Sequence, residues 1–324
     1  MTLALCGNAL LTIVKFAAAA VSGSSVMFSE AIHSVADTLN QLLLLVGLQR
    51  SLKKADDSFE YGYGNERFFW ALISACGVFF VGAGVTAYKG IATLVHPEPI
   101  EFTPIVFVVL ALAFVVEFYT FRRAAAELRR ISPRGSWRTR FEHADPSTLA
   151  VYLEDAVAVV GVGIAAAMLA LSYATGDTSY DAAGSIAISI LLATIAVVLI
   201  SKNYSYLIGK AMPEDVQDRV VALVQSDPAV EHVLDFKSTV VGFGRYRIKF
   251  ELDLKGATLL QQAYREDEMQ AQFDGMRENF DAFKKFSTEY ADRIPRLIGK
   301  KIDELETRIK TAFPEIKHID IEIN

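Results

Sequence analysis

His33 and Asp37 stand four residues apart in the stretch 29-SEAIHSVADTLNQ-41, inside a run otherwise apolar enough to cross a membrane. On a helix of 3.6 residues per turn, positions i and i+4 stack on one face about 6 Å apart. An imidazole and a carboxylate at that spacing can hold one divalent cation. Glu30, Asn40 and Gln41 fall near the same face and offer further ligands or supporting hydrogen bonds. In a soluble helix such a pair reads as a solvated surface feature. At bilayer depth an ionisable group costs roughly 2.5–3.5 kcal/mol on insertion scales, and such groups mark ion pathways or proton relays. A second apolar run, 150-AVYLEDAVAVVGVG-163, carries Glu154 and Asp155 side by side. Adjacent helical residues point about 100° apart, so the two acids do not serve one ion equally. One turns to the bundle interior, and the other forms a hydrogen bond or ion pair. His33, Asp37 and one of these acids, with water in the fourth place, suit tetrahedral Zn²⁺. Mn²⁺, Fe²⁺ and Co²⁺ suit the same donors. Lys15, Lys89 and Glu117 also fall in apolar runs. For these three, snorkelling or a structural ion pair is the plainer reading.

These residues need membrane helices to hold them. Six runs approach the about 20 apolar residues that a span requires. They are Leu3–Val21, Met27–Leu48, Phe68–Leu94, Ile105–Phe121, Leu149–Tyr173 and Ala182–Ile200. All six read as helices, because a span must satisfy its own backbone polar groups. The connections alternate in charge. Arg50, Lys53, Lys54 and Arg67 lie between the second and third runs. Arg122, Arg123, Arg129, Arg130, Arg134, Arg138 and Arg140 lie between the fourth and fifth. The connections SGSS, HPEPIEFT and TGDTSYD contain no Lys or Arg. By the positive-inside rule the basic connections, and with them both termini, are cytoplasmic.

The composition agrees with several spans plus a soluble part: 324 residues, 52% hydrophobic, mean hydropathy +0.30. A net charge of −6 without a basic tail gives no support for a nucleic-acid partner. Cys6 and Cys76 sit in apolar runs and read as small buried hydrophobes. There is no G-x-S-x-G, P-loop or H-E-x-x-H, so an enzyme is not expected.

Beyond Lys202 the pattern changes. PEDVQDRVVALVQSD has the proline, early acids and apolar spacing of a helix start. AVEHVLDFKSTVVG and GRYRIKFELDLKG alternate as two strands around a Gly-containing turn. Residues 257–295 are polar and helical in pattern, LIGKKIDELETRIKTAF is an amphipathic helix, and IKHIDIEIN is a last strand. The expected fold is an α-helical polytopic membrane protein with six transmembrane helices (1–205). A cytoplasmic α+β, ferredoxin-like domain of order α-β-β-α-β (206–324) follows, with a helical insert at about 257–295.

Taken together, these motifs resemble the cation diffusion facilitator family. His33 and Asp37 in the second span and Asp155 in the fifth are similar to its central transport site. The loop 61-YGYGNER-67 is similar to the family's Gly-x-Gly segment. The closer resemblance is to the zinc transporter 9 subgroup, carried by HSVADTLNQ, LVHPEPIE, LEDAVAVVG, LIGKAMPEDVQ and the insert. Three departures stand out. Val151 occupies the position four before Asp155, which leaves Glu154, Asn40 or water to complete the ligand set. Tyr63 replaces a loop histidine common in bacterial members. Leu234 and Phe250 stand where the family's cytoplasmic site has histidines. His318, Asp320 and Glu322 alternate onto one strand face, where with His232 they could bind metal or simply meet solvent.

The resemblance implies a homodimer that moves a divalent cation, Zn²⁺ first, out of the cytoplasm against proton entry. The cation and protons are then substrates, and the bilayer is a partner. An Mn²⁺, Fe²⁺ or Co²⁺ exporter and a non-transporting metal sensor or scaffold are the alternatives. Because nothing transit-peptide-like precedes the first span, a bacterial inner membrane is the expected location.

Overall fold

A computed structural model describes residues 2–97, 99–101, 103–131, 137, 141, 144, 146–263, 266–277 and 279–324. Arg134, Arg138 and Arg140 of the second basic connection, and the side chain of Cys6, lie outside the described residues. Contacts divide the chain into two compact units, Met1–Ile208 and Gly209–Asn324.

The first unit is helical: α1 (Thr2–Ser22), α2 (Ser25–Ser51), α3 (Glu66–Val95), α4 (Pro104–Ile131), α5 (Pro146–Thr175) and α6 (Ser179–Leu207). Local chemistry sets the breaks. Gly23 takes φ +67° between α1 and α2, a left-handed conformation that side chains disfavour. Ser24 then caps α2, its Oγ accepting from the Met27 N–H at 3.1 Å. Both α4 and α5 open on proline, whose fixed φ and missing N–H suit the first helical position. Helix α3 carries a π-helical segment, Val78–Ala83. Such segments shift side chains around the axis and recur at functional sites.

Among the described residues, α2 to α6 are long and apolar enough to cross a membrane, and Asn8–Ser22 of α1 is a shorter apolar helix. The protein is therefore a helical membrane protein with five long apolar helices and a small C-terminal sheet. Phe80, Val108, Val115 and Ile190 are exposed on the outside of this unit. That arrangement is unfavourable in water and ordinary against lipid tails. Ala31, Ala113, Ala165, Ala182 and Ala196 are fully buried, and such small residues let helices approach closely. The expected fourth span ended at Phe121, but α4 runs on to Ile131. Arg122, Arg123, Arg129 and Arg130 thus lie on helix rather than in a loop, because FRRAAAELRR is built of strong helix formers.

The second unit contains α7 (Glu214–Gln225), β1 (Val230–Gly242), β2 (Arg245–Leu254), α8 (Gly256–Ala263), α9 (Glu266–Met276), α10 (Phe280–Ala312) and β3 (Ile316–Ile323). β2 is central, antiparallel to β1 and parallel to β3. Its alternation buries Ile248, Phe250 and Leu252 against Val220 and Val224 of α7 and Leu305 and Ile309 of α10. The insert and the last helix are not separate elements as expected. α10 continues through Pro295, which leaves the exposed Ala291 carbonyl to bond water instead of an amide.

Candidate metal centre

Helix α2 presents His33 and Asp37 one turn apart, and α5 brings Glu154 against them. All three line one cavity of about 10 Å³, roughly the size of one water. Its apolar wall includes Ala36, Val78 at the start of the π-helical segment, Val157 and Leu192.

The carboxylates are held by amides. Asp37 Oδ2 accepts from Asn8 Nδ2 at 2.9 Å and from Gln41 Nε2 at 3.2 Å. Glu154 Oε2 accepts from Asn40 Nδ2, and Asn40 Oδ1 accepts from Ser74 Oγ at 2.5 Å. Two buried acceptors on this cavity's residues, His33 Nδ1 and Glu154 Oε1, have no hydrogen-bond partner among the described residues. An unmade buried bond costs about 1–3 kcal/mol, and each of these atoms is of a kind that ligates cations. Asp155 is buried beside Glu154 but does not line this cavity. Among the described residues no three His, Cys, Asp or Glu side chains are gathered closely enough to hold a metal ion. The expected residues therefore share one neighbourhood without forming a closed ligand cage.

Asn8 and Ser74 were not foreseen. Asn8 left a signal, a lone amide in an apolar run; Ser74 left none, since small hydroxyls are ordinary in spans. At one end of the bundle Asp181, fully buried at the start of α6, ties down the start of α2. It accepts from Ser24 Oγ, from Ser25 N and Oγ at 2.6 Å each, and from Val26 N at 3.4 Å. A carboxylate there also answers the positive end of the helix dipole.

Elsewhere the protein's own cations pair with the acids, both in the loop where Tyr63 replaces a histidine and on the strand face of Asp320 and Glu322. In the α2–α3 connection, Lys53 Nζ lies 2.8 Å from Asp56 Oδ2 and donates to Tyr63 Oη at 2.7 Å. Tyr63 Oη in turn donates to Asp56 at 2.8 Å. Hydrogen bonds from Lys53 and Tyr63 hold the Asp56 carboxyl down at about 2. On the sheet, Arg247 pairs with Asp320 at 2.6 Å and Lys249 with Glu322 at 2.6 Å. His232 lies on β1 opposite Asp253, whereas His318 lies on β3 opposite Arg247, with β2 between them. At about 4.8 Å per strand and 3.3 Å per residue, the two histidines are far too distant to share an ion.

Residues 1–208 match the family model described as the cation efflux transmembrane domain. The chain is 38% identical, over 99% of its length and 57% of theirs, to the proteins named proton-coupled zinc antiporter SLC30A9, mitochondrial, of Mus musculus and Homo sapiens. It is 34% identical to metal tolerance protein C4 of Arabidopsis thaliana, over 99% of this chain and 72% of that protein. The chain thus spans about 57% of the length of the mouse and human relatives. These findings overturn the expected bacterial inner membrane, since the relatives that cover nearly all of this chain at 38% identity are eukaryotic and mitochondrial by name. That expectation rested on what precedes the first span, and the start of a chain matching little more than half of its relatives carries no such information. The family is one of transporters, not enzymes. By its helical unit and by identity along nearly its whole length, the chain belongs to the cation efflux (cation diffusion facilitator) family, in the zinc transporter 9 subgroup.

Proposed function

We propose that this protein carries Zn²⁺ across a membrane in exchange for protons, through the His33–Asp37 site. The observation that carries this reading is one buried cavity lined by an imidazole and two carboxylates from α2 and α5, with His33 Nδ1 and Glu154 Oε1 unpartnered among the described residues. His33, Asp37 and Asp155 are the proposed ligands, with Glu154 completing the set and Asn40 holding Glu154 in place. Asp37 offers its other oxygen to the cation while Oδ2 keeps the hydrogen bonds from Asn8 and Gln41, and Asp155 turns inward as the cation arrives. A metal needs neutral imidazole and ionised carboxylate, so cation and protons compete for the same atoms. Facing a neutral compartment the site takes the cation; facing an acidic one it releases it. Rocking of one helix group against another exposes the site to each side in turn. Carboxylates outnumber imidazole at the site, which also suits Mn²⁺, Fe²⁺ or Co²⁺, and competition by these ions for bound Zn²⁺ separates the cargoes.

In this reading α1 is a sixth span, which places both termini on one side. Residues 1–205 form the transport domain. Residues 206–324 form a ferredoxin-like domain whose insert, at about 257–295, runs on into the last helix, and this domain pairs two copies into a homodimer. A single-copy mass in mild detergent would contradict the dimer. The transport reading is tested by Zn²⁺ flux into sealed vesicles containing wild type or His33→Ala. Flux that survives the substitution with its pH dependence intact contradicts it.

A further inference from the structure

Lys15 of α1, Glu30 of α2 and Glu117 of α4 meet inside the helical unit. Lys15 Nζ lies 3.2 Å from Glu30 Oε2 and 3.4 Å from Glu117 Oε1. The side chains of Lys15 and Glu30 are wholly removed from solvent, and that of Glu117 is 13% exposed. Lys15 therefore does not snorkel. One ammonium balances one carboxylate, so a structural ion pair needs one acid and this cluster has two. With all three groups ionised it would carry an uncompensated negative charge in a membrane interior, a costly arrangement. Glu30 Oε1 has no hydrogen-bond partner among the described residues. It lies 2.7 Å from where a Cβ on Gly161 would stand, so this carboxyl packs against the bare α5 backbone and a side chain there would force it to shift.

The groups whose charge reaches Glu30 are Lys15 from α1 and Glu117 from α4. Helix α5 presents Gly161 to it, and the preceding Ser29 shares a hydrogen bond of 2.5 Å with Ser185 of α6. On α2 itself His33 follows three residues later, about 4.5 Å along the axis and on the same face. The charge of Lys15 is also felt at His33 and Asp37, and that of Glu117 at Asp37 and at Asp155 of α5.

We infer that Lys15, Glu30 and Glu117 form a proton-binding site separate from the metal ligands, which holds one proton between its two glutamates and releases it when a divalent cation occupies the neighbouring site. The inference rests on the transport reading above. The coupling is electrostatic. A double positive charge one helical turn away favours the ionised form of the triad, and in the low-dielectric interior little screening intervenes. The triad lies on the 22–24 side of His33 along α2, toward the end of the bundle tied by Asp181.

The test counts protons released per Zn²⁺ bound by the purified full chain in weakly buffered detergent solution, and follows the apparent Kd from pH 6 to 8. Glu30→Gln and Glu117→Gln each leave a neutral ion pair with no need of a proton. Each is expected to bind Zn²⁺ while releasing about one proton fewer than wild type. The Kd should then lose about one factor of ten of its change per pH unit. Two variants guard against the failure of one to fold, which size-exclusion chromatography reports. Proton release unchanged in the folded variants overturns the inference and leaves a structural ion cluster, with the transport reading intact. Zn²⁺ binding by wild type that releases no proton, or that survives His33→Ala unchanged, overturns both.

Discussion

Asn8 of α1 donates to Asp37 of α2 across the helix pair, Nδ2 to Oδ2 at 2.9 Å. A hydrogen bond to an ionised carboxylate contributes about 1.5–3 kcal/mol net. The amide therefore fixes the orientation of the Asp37 carboxylate and leaves its other oxygen for a cation. Asn8→Leu frees the carboxylate to turn, and Zn²⁺ affinity is expected to fall about tenfold, read by titration. Unchanged affinity would show that Asn8 does not position Asp37.

Asn40 joins α2 to α3 and α5 by donating to Glu154 and accepting from Ser74. Asn40→Leu leaves both partners buried and unpaired, at about 1–3 kcal/mol each. The Tm in detergent is expected to drop by several degrees. Asn40→Asp, which keeps an acceptor for Ser74 but takes the amide donor away from Glu154, should lower it as well.

The Lys53–Asp56–Tyr63 tie gives a prediction of indifference. Asp56's folded value is depressed to about 2, so its contribution is present above the ordinary carboxylate range and is lost as pH falls toward 2. Lys53 is raised, chiefly by its hydrogen bond to Asp56, so its share is lost only above the ordinary lysine range. Limited proteolysis of this connection should therefore not change between pH 5 and 8. Tyr63→Phe should alter Zn²⁺ affinity by less than about twofold, because an ammonium already takes the cation's place. A large loss would tie the loop to metal binding.

Much of this architecture could be read from residue types. The His33–Asp37 spacing put both on one face, and apolar length gave the long helices, because both follow from helical geometry alone. Other features depend on packing between helices. Glu154, not Asp155, lines the cavity because of the rotation of α5 about its axis, and adjacency in sequence carries no trace of that rotation. Lys15 and Glu117 could be read as a structural pair, but their meeting with Glu30 needs three helices in register. The extension of α4 to Ile131 was hidden because arginines signal a loop by charge while favouring helix by propensity. Pro295 concealed the continuity of α10 in the same way, since a long exposed helix tolerates one lost bond that a short one does not.

The most direct test of transport through this site is Zn²⁺ uptake into vesicles under an imposed pH gradient, wild type beside Asp37→Ala. Uptake that requires both the gradient and Asp37 is the predicted result. Uptake that persists without either, or wild type that binds Zn²⁺ but moves none, would contradict it.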